Sequence, residues 1–164
     1  VRLLLSAHGL PERIVKRGDP YAWQVEQTAA RIVARLGVED LDWRLCYQSR
    51  VGPMKWIGPA TDDEICRAGT DGVALVIAPI AFVSEHSETL VELDIEYRHL
   101  AESCGVPAYH RVPAVACHPV FISSLADLTR QCLARAPVHG DSMFSLSVNR
   151  VCPASHSGCP LAMG

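Results

Sequence analysis

The first chemistry visible in this sequence is an imidazole placed where an apolar run stops. In Leu3-Leu4-Leu5-Ser6-Ala7-His8-Gly9-Leu10-Pro11 the run ends at His8, and the Gly and Pro beyond it interrupt a strand. A buried strand would then hand His8 to the rim of a sheet, where ligand chemistry gathers in open α/β proteins. A second group is Glu88, Glu92 and Glu96, whose spacing of four places them along one helical face, with His86 two residues ahead. Like charges so spaced repel by about 0.2–0.5 kcal/mol per pair, so the row calls for solvent or a cation. A third group is the loop from Gln48 to Trp56, which carries Ser49, Arg50, Met54, Lys55 and Trp56. Imidazole and carboxylates suit a divalent metal that prefers oxygen and nitrogen, such as ferrous iron. They suit proton transfer equally, since imidazole titrates near pH 6.5. Plainer readings stand beside these. A strand-end His can be a hydrogen-bonded structural residue, a carboxylate row a solvated face, and His86 part of a helix start. Trp56 can plug the core or offer a flat surface to a flat ligand.

The elements that must position these groups follow a βα pattern repeated four times. A strand over about 2–7 leads to Asp19-Pro20, a helix start, and Ala22, Val25, Ala29, Ile32, Val33 and Leu36 form one apolar face that Gly37 ends. Strand two covers Trp43 to Tyr47. Thr61-Asp62-Asp63-Glu64 reads as a capping box for a short helix over 62–68 that stops at Gly69. Strand three, Val73 to Ile80, is apolar on both faces, as a central parallel strand should be. A helix over 88–103 carries Leu90, Leu93, Tyr97 and Leu100 as its stripe. A fourth strand, Val106 to Val112, is flanked by prolines and belongs near the edge. A last helix over 119–135 buries Phe121, Leu125 and Leu128. The expected fold is α/β: a doubly wound, mostly parallel four-stranded sheet flanked by helices, Rossmann-like and three-layered. One domain covers 1–164, with a core over 1–135 and an irregular Cys-containing tail over 136–164. Chain connectivity brings His8, the 48–56 loop and Ser84 to Glu88 to the same edge.

Composition narrows the classes. At 164 residues, 49% hydrophobic and 20% charged, the chain is globular. A net charge of −3 speaks against a nucleic-acid surface. No apolar run reaches the roughly 18 residues of a membrane span. The glycine signatures of dinucleotide and P-loop sites are missing. There is no basic, apolar leader, and the chain opens directly on a core strand, which points to a preceding part of a larger protein. Seven cysteines in no regular framework favour a reducing, cytoplasmic location. Cys46, Cys66, Cys104, Cys117 and Cys132 read as buried core thiols.

Three stretches together resemble ferrochelatase: Ser6-Ala7-His8-Gly9-Leu10-Pro11, Gln48 through Pro59 (QSRVGPMKWIGP), and Pro79 through Leu90 (PIAFVSEHSETL), continuing through Glu92-Leu93-Asp94-Ile95-Glu96-Tyr97. The resemblance runs over about residues 2–135 and points to the C-terminal half of a two-domain enzyme with a porphyrin cleft between its halves. It implies insertion of Fe²⁺, as substrate, into protoporphyrin IX to give protoheme, the last step of heme biosynthesis. His8 then corresponds to the cleft histidine and Glu88 to the carboxylate facing it, acting either as proton acceptor and relay or jointly as metal ligands. His86, Glu92 and Glu96 correspond to an acidic path for metal or protons leading away. Trp56 corresponds to an aromatic near the macrocycle, with Met54, Arg50 and Ser49 of the same loop as further substrate-binding candidates. Glu85 stands where many relatives carry Asp. The missing N-terminal half becomes the expected partner, and the apolar porphyrin suggests peripheral membrane contact in the full protein. Some members hold a [2Fe–2S] cluster on four cysteines. Cys152 and Cys159 supply two here, so this chain alone is not expected to close one. Two alternatives accompany the reading: a chelatase for another tetrapyrrole (coproporphyrin or cobalt insertion), and a catalytically incomplete metal- or porphyrin-binding half-domain.

Overall fold

A computed structural model describes residues 1–135 and 150–159. In chain order the elements are β1 (Arg2–His8), α1 (Glu12–Val15), α2 (Tyr21–Leu36), β2 (Trp43–Gln48), α3 (Thr61–Thr70), β3 (Leu75–Pro79), α4 (Ser87–Leu90), a π turn (Glu92–Glu96), α5 (Tyr97–Ser103), β4 (Tyr109–Arg111) and α6 (Pro119–Arg135). The four strands form one all-parallel sheet in the order β2-β1-β3-β4. β1 is central and buried on both faces, so its side chains alternate between two cores. Leu3 and Leu5 pack with Ala29, Ile32 and Val33 of α2, while Leu4 packs with Ile65 and Ala68 of α3 and Leu93 and Ala101 beyond. This is the three-layer α/β arrangement expected from the βα repeats.

Register builds the rim. His8 lies opposite Gln48 on one side, and Ser6 lies opposite Pro79 on the other. The ends of β1 and β2 therefore finish level, and the segment after β3 rises beside them. The N-cap of α2 is Pro20 rather than Asp19, whose carboxylate accepts from the Tyr21 N–H at 2.8 Å from one residue further out, and Gly37 closes the helix in the left-handed region at φ 63°.

Several local expectations are corrected. The strands over 73–80 and 106–112 shorten to Leu75–Pro79 and Tyr109–Arg111. The Thr61 capping box does not form, because the Thr61 hydroxyl bonds Ser6 at 3.0 Å inside the core and Glu64 pairs with Arg67. Gly69 does not stop α3 either. It permits close approach to α5, since a Cβ there would lie 2.0 Å from the Cys104 carbonyl oxygen. Leu36, Leu90 and Leu125 lie on the surface rather than in the core. α6 buries less than its composition suggests, with Phe121 and Leu128 only half-buried. Of the five expected core thiols, only Cys46 is both free and buried. Cys66 and Cys104 are joined, linking α3 to the end of α5, and Cys117 and Cys132 are exposed. Of the tail expected over 136–164, residues 136–149 and 160–164 lie outside the described residues. Residues 150–159 dock on the loop before α2, with the Gly158 N–H donating to the Gly18 carbonyl at 3.0 Å. No helix among the described residues is long and apolar enough to cross a membrane.

Candidate active site

His8 ends β1 with its imidazole facing outward, and its carbonyl oxygen accepts from the Tyr21 hydroxyl at 2.9 Å. Its Nδ1 lies 3.3 Å from Oε2 of Glu88, and both side chains are about two-fifths exposed, at 41% and 39%. Phe82, buried under the rim, stands edge-on to His8 at 6.3 Å and tilts against His86 at 5.0 Å between ring centres. The two imidazoles are thus held apart by a wedge of apolar surface. Gly9 allows the next loop to close down, since a Cβ there would meet the Gln48 carbonyl at 2.9 Å and the Trp56 ring at 3.2 Å.

The expected helix over 88–103 is broken into α4, the π turn and α5. Glu88 belongs to α4, whose N-cap is His86. The His86 Nδ1 accepts from the Glu88 N–H at 3.2 Å, and Thr89 Oγ1 accepts from the His86 N–H at 2.9 Å. His86 therefore carries its ring proton on Nε2, and its Nδ1 is engaged in capping. At the π turn Ile95 and Glu96 N–H groups both reach the Val91 carbonyl at 3.0 Å. The widened turn sets Glu92 beneath Tyr97, whose hydroxyl donates to it at 3.0 Å. Burial, together with the adjacent Glu92 charge, raises the Tyr97 phenol well above its usual range.

The loop bearing Glu85 is pinned from the side. Arg111 of β4 forks to both oxygens of Asp94 in the π turn and donates to both oxygens of Glu85, at 2.9 and 3.0 Å. The Ala114 N–H adds a third hydrogen bond to Glu85 at 2.9 Å. Burial pushes the Glu85 carboxyl up, but hydrogen bonds from Thr89, Arg111 and Ala114 outweigh it and hold it at about 2. The Arg111 guanidinium is held charged chiefly by its bonds to Asp94.

Between these elements lies an open depression of about 410 Å³ lined by His8, Ser49, Val51, Trp56, Ser87, Glu88, Val91, Glu92 and Glu96. Of the sequence-derived candidates, His8, Ser49, Trp56, Glu88, Glu92 and Glu96 meet there, Glu96 being exposed. Arg50, Met54 and His86 are not among the lining residues, and Met54 sulfur contacts Arg13 at 3.8 Å instead. Among the described residues the buried Trp56 indole N–H meets no hydrogen-bond partner. Gln48, Phe82, Tyr97 and Arg111 carry no local sequence signal of a part in the site. Gln48 and Tyr97 resemble ordinary strand and helix residues until their long-range partners are known. Cys152 and Cys159 bring their sulfurs together in the docked segment 150–159, and these two supply half of the four cysteines that a [2Fe–2S] cluster takes. No group of three or more metal-ligating side chains is assembled among the described residues.

An all-parallel α/β sheet flanked by helices, with an imidazole–carboxylate pair on its carboxyl edge, places the chain in the Rossmann-like three-layer fold class. The family model for ferrochelatase matches residues 1–133, and the chain belongs to that family. It is 52% identical over its whole length to the ferrochelatase of Caulobacter vibrioides, covering 46% of that protein. It is 54% identical over 164 residues to that of Hyphomonas neptunium, covering 44% of it, and 51% identical to that of Phenylobacterium zucineum, covering 46%. The chain thus spans under half the length of the relatives it matches.

Proposed function

We propose that this chain supplies one wall of a cleft in which ferrous iron enters protoporphyrin IX to give protoheme, the remaining wall coming from the other half of the longer polypeptide. The observation that carries this is the His8–Glu88 pair, 3.3 Å apart and open to a depression whose other walls include Val51, Trp56 and Val91. A porphyrin is flat and apolar, so such a wall covers its face while the pair meets its centre. Iron entry replaces two pyrrole N–H protons, and each must leave as the metal arrives. Imidazole accepts a proton near neutrality, and a carboxylate beside it stabilises the imidazolium that results. His8 is thereby the base and Glu88 its partner. Glu96, exposed among the residues that line the same depression, gives cations an entry from solvent. Membership of the ferrochelatase family supports iron and protoporphyrin as the substrates.

The test is iron-dependent loss of protoporphyrin fluorescence in the full-length polypeptide. His8→Ala should lower turnover by about 10²–10⁴-fold, the usual worth of a positioned general base. Near-normal iron insertion by that variant would remove His8 from the role.

A second reading concerns the chain by itself: a half-domain that holds metal or porphyrin without turning it over. The open depression and the coverage of under half of each relative favour it for the isolated chain.

A further inference from the structure

Glu92 differs from Glu88 in one respect that sequence spacing hides: its carboxylate is filled. Oε1 accepts from the Ser49 backbone N–H at 2.7 Å and from the Tyr97 hydroxyl at 3.0 Å. Oε2 accepts from the Ser49 hydroxyl at 2.5 Å and from Gln48 Nε2 at 3.0 Å. Two lone pairs on each oxygen meet four donors. Ser49 is turned into the left-handed region, at φ 58°, which directs both its N–H and its hydroxyl to the same carboxylate.

Gln48 is the other half of the arrangement. It is wholly buried at the end of β2, in register with His8. Its Nε2 meets only acceptors, the Glu88 carbonyl at 2.8 Å and Glu92, which settles the amide orientation, and its Oε1 takes the Ser6 hydroxyl at 2.8 Å. Its backbone carbonyl accepts from the Gly9 N–H at 2.8 Å, one residue beyond His8. One residue therefore touches the backbone beside the imidazole and the backbone beneath the facing carboxylate.

We propose that Gln48 and Glu92 form a positioning anchor that sets the spacing of His8 and Glu88, and that Glu92 keeps its hydrogen bonds through turnover instead of ligating the incoming ion. For a Glu92 oxygen to take a cation, one of its donors must be released, and a part-buried N–H or O–H left unpaired is costly. Among the described residues the Glu88 carboxylate meets only His8 at its rim, so Glu88 is free for the exchange that Glu92 resists. A carboxylate row that looks uniform by spacing is thus divided into a working group, an anchor and an exposed, solvated group.

This proposal rests on the iron-insertion reading, and its test keeps the two separable. In the full-length polypeptide, Ser49→Ala and Tyr97→Phe each remove one donor and leave the Glu92 carboxylate in place. Each should lower kcat by about 10- to 100-fold, because sub-ångström misplacement of reacting groups is expensive, while KM for ferrous iron stays within about threefold. Gln48→Met should act in the same direction, and if it does not fold the two milder variants carry the test. Ser49→Ala should add little on top of Glu92→Gln, since both break one network. A ligand role predicts the reverse: an iron KM raised about tenfold or more in Glu92→Gln, with kcat intact in Ser49→Ala and Tyr97→Phe, and that result overturns the anchor. A readout free of turnover is the ¹⁵N NMR signal of the His8 ring in protein without added iron. Those signals should move in Ser49→Ala and Tyr97→Phe, and unmoved signals overturn the anchor whatever the wild type catalyses. Shifted signals in a protein whose wild type inserts no iron would refute the iron-insertion reading alone.

Discussion

Two groups about two-fifths exposed, His8 and Glu88, carry the proposed chemistry, and this exposure fits a site that must meet a large flat substrate rather than enclose a small one. Their neighbours by type play other parts. His86 caps α4 through Nδ1, so His86→Ala should lower stability by about 1 kcal/mol in a denaturant titration, and His86→Asn, a side chain that also caps well, should recover most of it. An equal loss in both variants would mean that the imidazole does more than cap. Cys46 lies wholly buried in the core, and that burial pushes its thiol up to about 12, so it remains an inert packing residue.

At the scale of elements, the Arg111 fork is what ties β4, the Glu85 loop and the π turn into one piece. Glu85 titrates at about 2 in the folded chain against an ordinary value of 4.5. A carboxyl held low when folded stabilises the fold above its unfolded pKa, and that stability drains as pH falls from 4.5 toward 2. Because the pair is partly solvated, we expect about 2 kcal/mol from this group. Arg111→Met should destabilise by about 2–3 kcal/mol at neutral pH and flatten the acid limb of a stability-versus-pH curve. An unchanged acid limb would sink this account. The α3–α5 contact is tested by Gly69→Ala, which must displace the Cys104 backbone. Overpacking of that kind should cost about 1–3 kcal/mol, read as a lowered midpoint in thermal unfolding.

For the molecule as a whole, the depression is open among the described residues and its apolar lip is exposed, with Val51 at 69% and Val91 at 44% exposure. A ligand covered on one face keeps much of its apolar surface in water. Fluorescence titration with protoporphyrin should therefore find the isolated chain binding at least about tenfold more weakly than the full-length polypeptide, a difference of about 1.4 kcal/mol. Equal affinities would mean that this wall alone recognises the macrocycle, which favours the half-domain reading.

Much of the fold follows from local rules. Apolar runs of strand length, a helix between each pair and an Asp-Pro start suffice for a parallel three-layer sheet, because short-range periodicity and crossover handedness leave few alternatives. The strand stop at His8 and the three stretches that resemble ferrochelatase were legible for the same reason, being written in consecutive residues. Tertiary structure decided what each polar group does. Gln48 and Glu92 are 44 positions apart, and Ser6 and Thr61 are 55 apart, so no local pattern reveals that one pair fills a carboxylate and the other consumes an expected helix cap. The π turn, the joining of Cys66 to Cys104 and the exposure of Leu90 and Leu125 likewise depend on what packs against each element. Spacing placed three glutamates on one edge, and only their partners made Glu88 available, Glu92 occupied and Glu96 solvated.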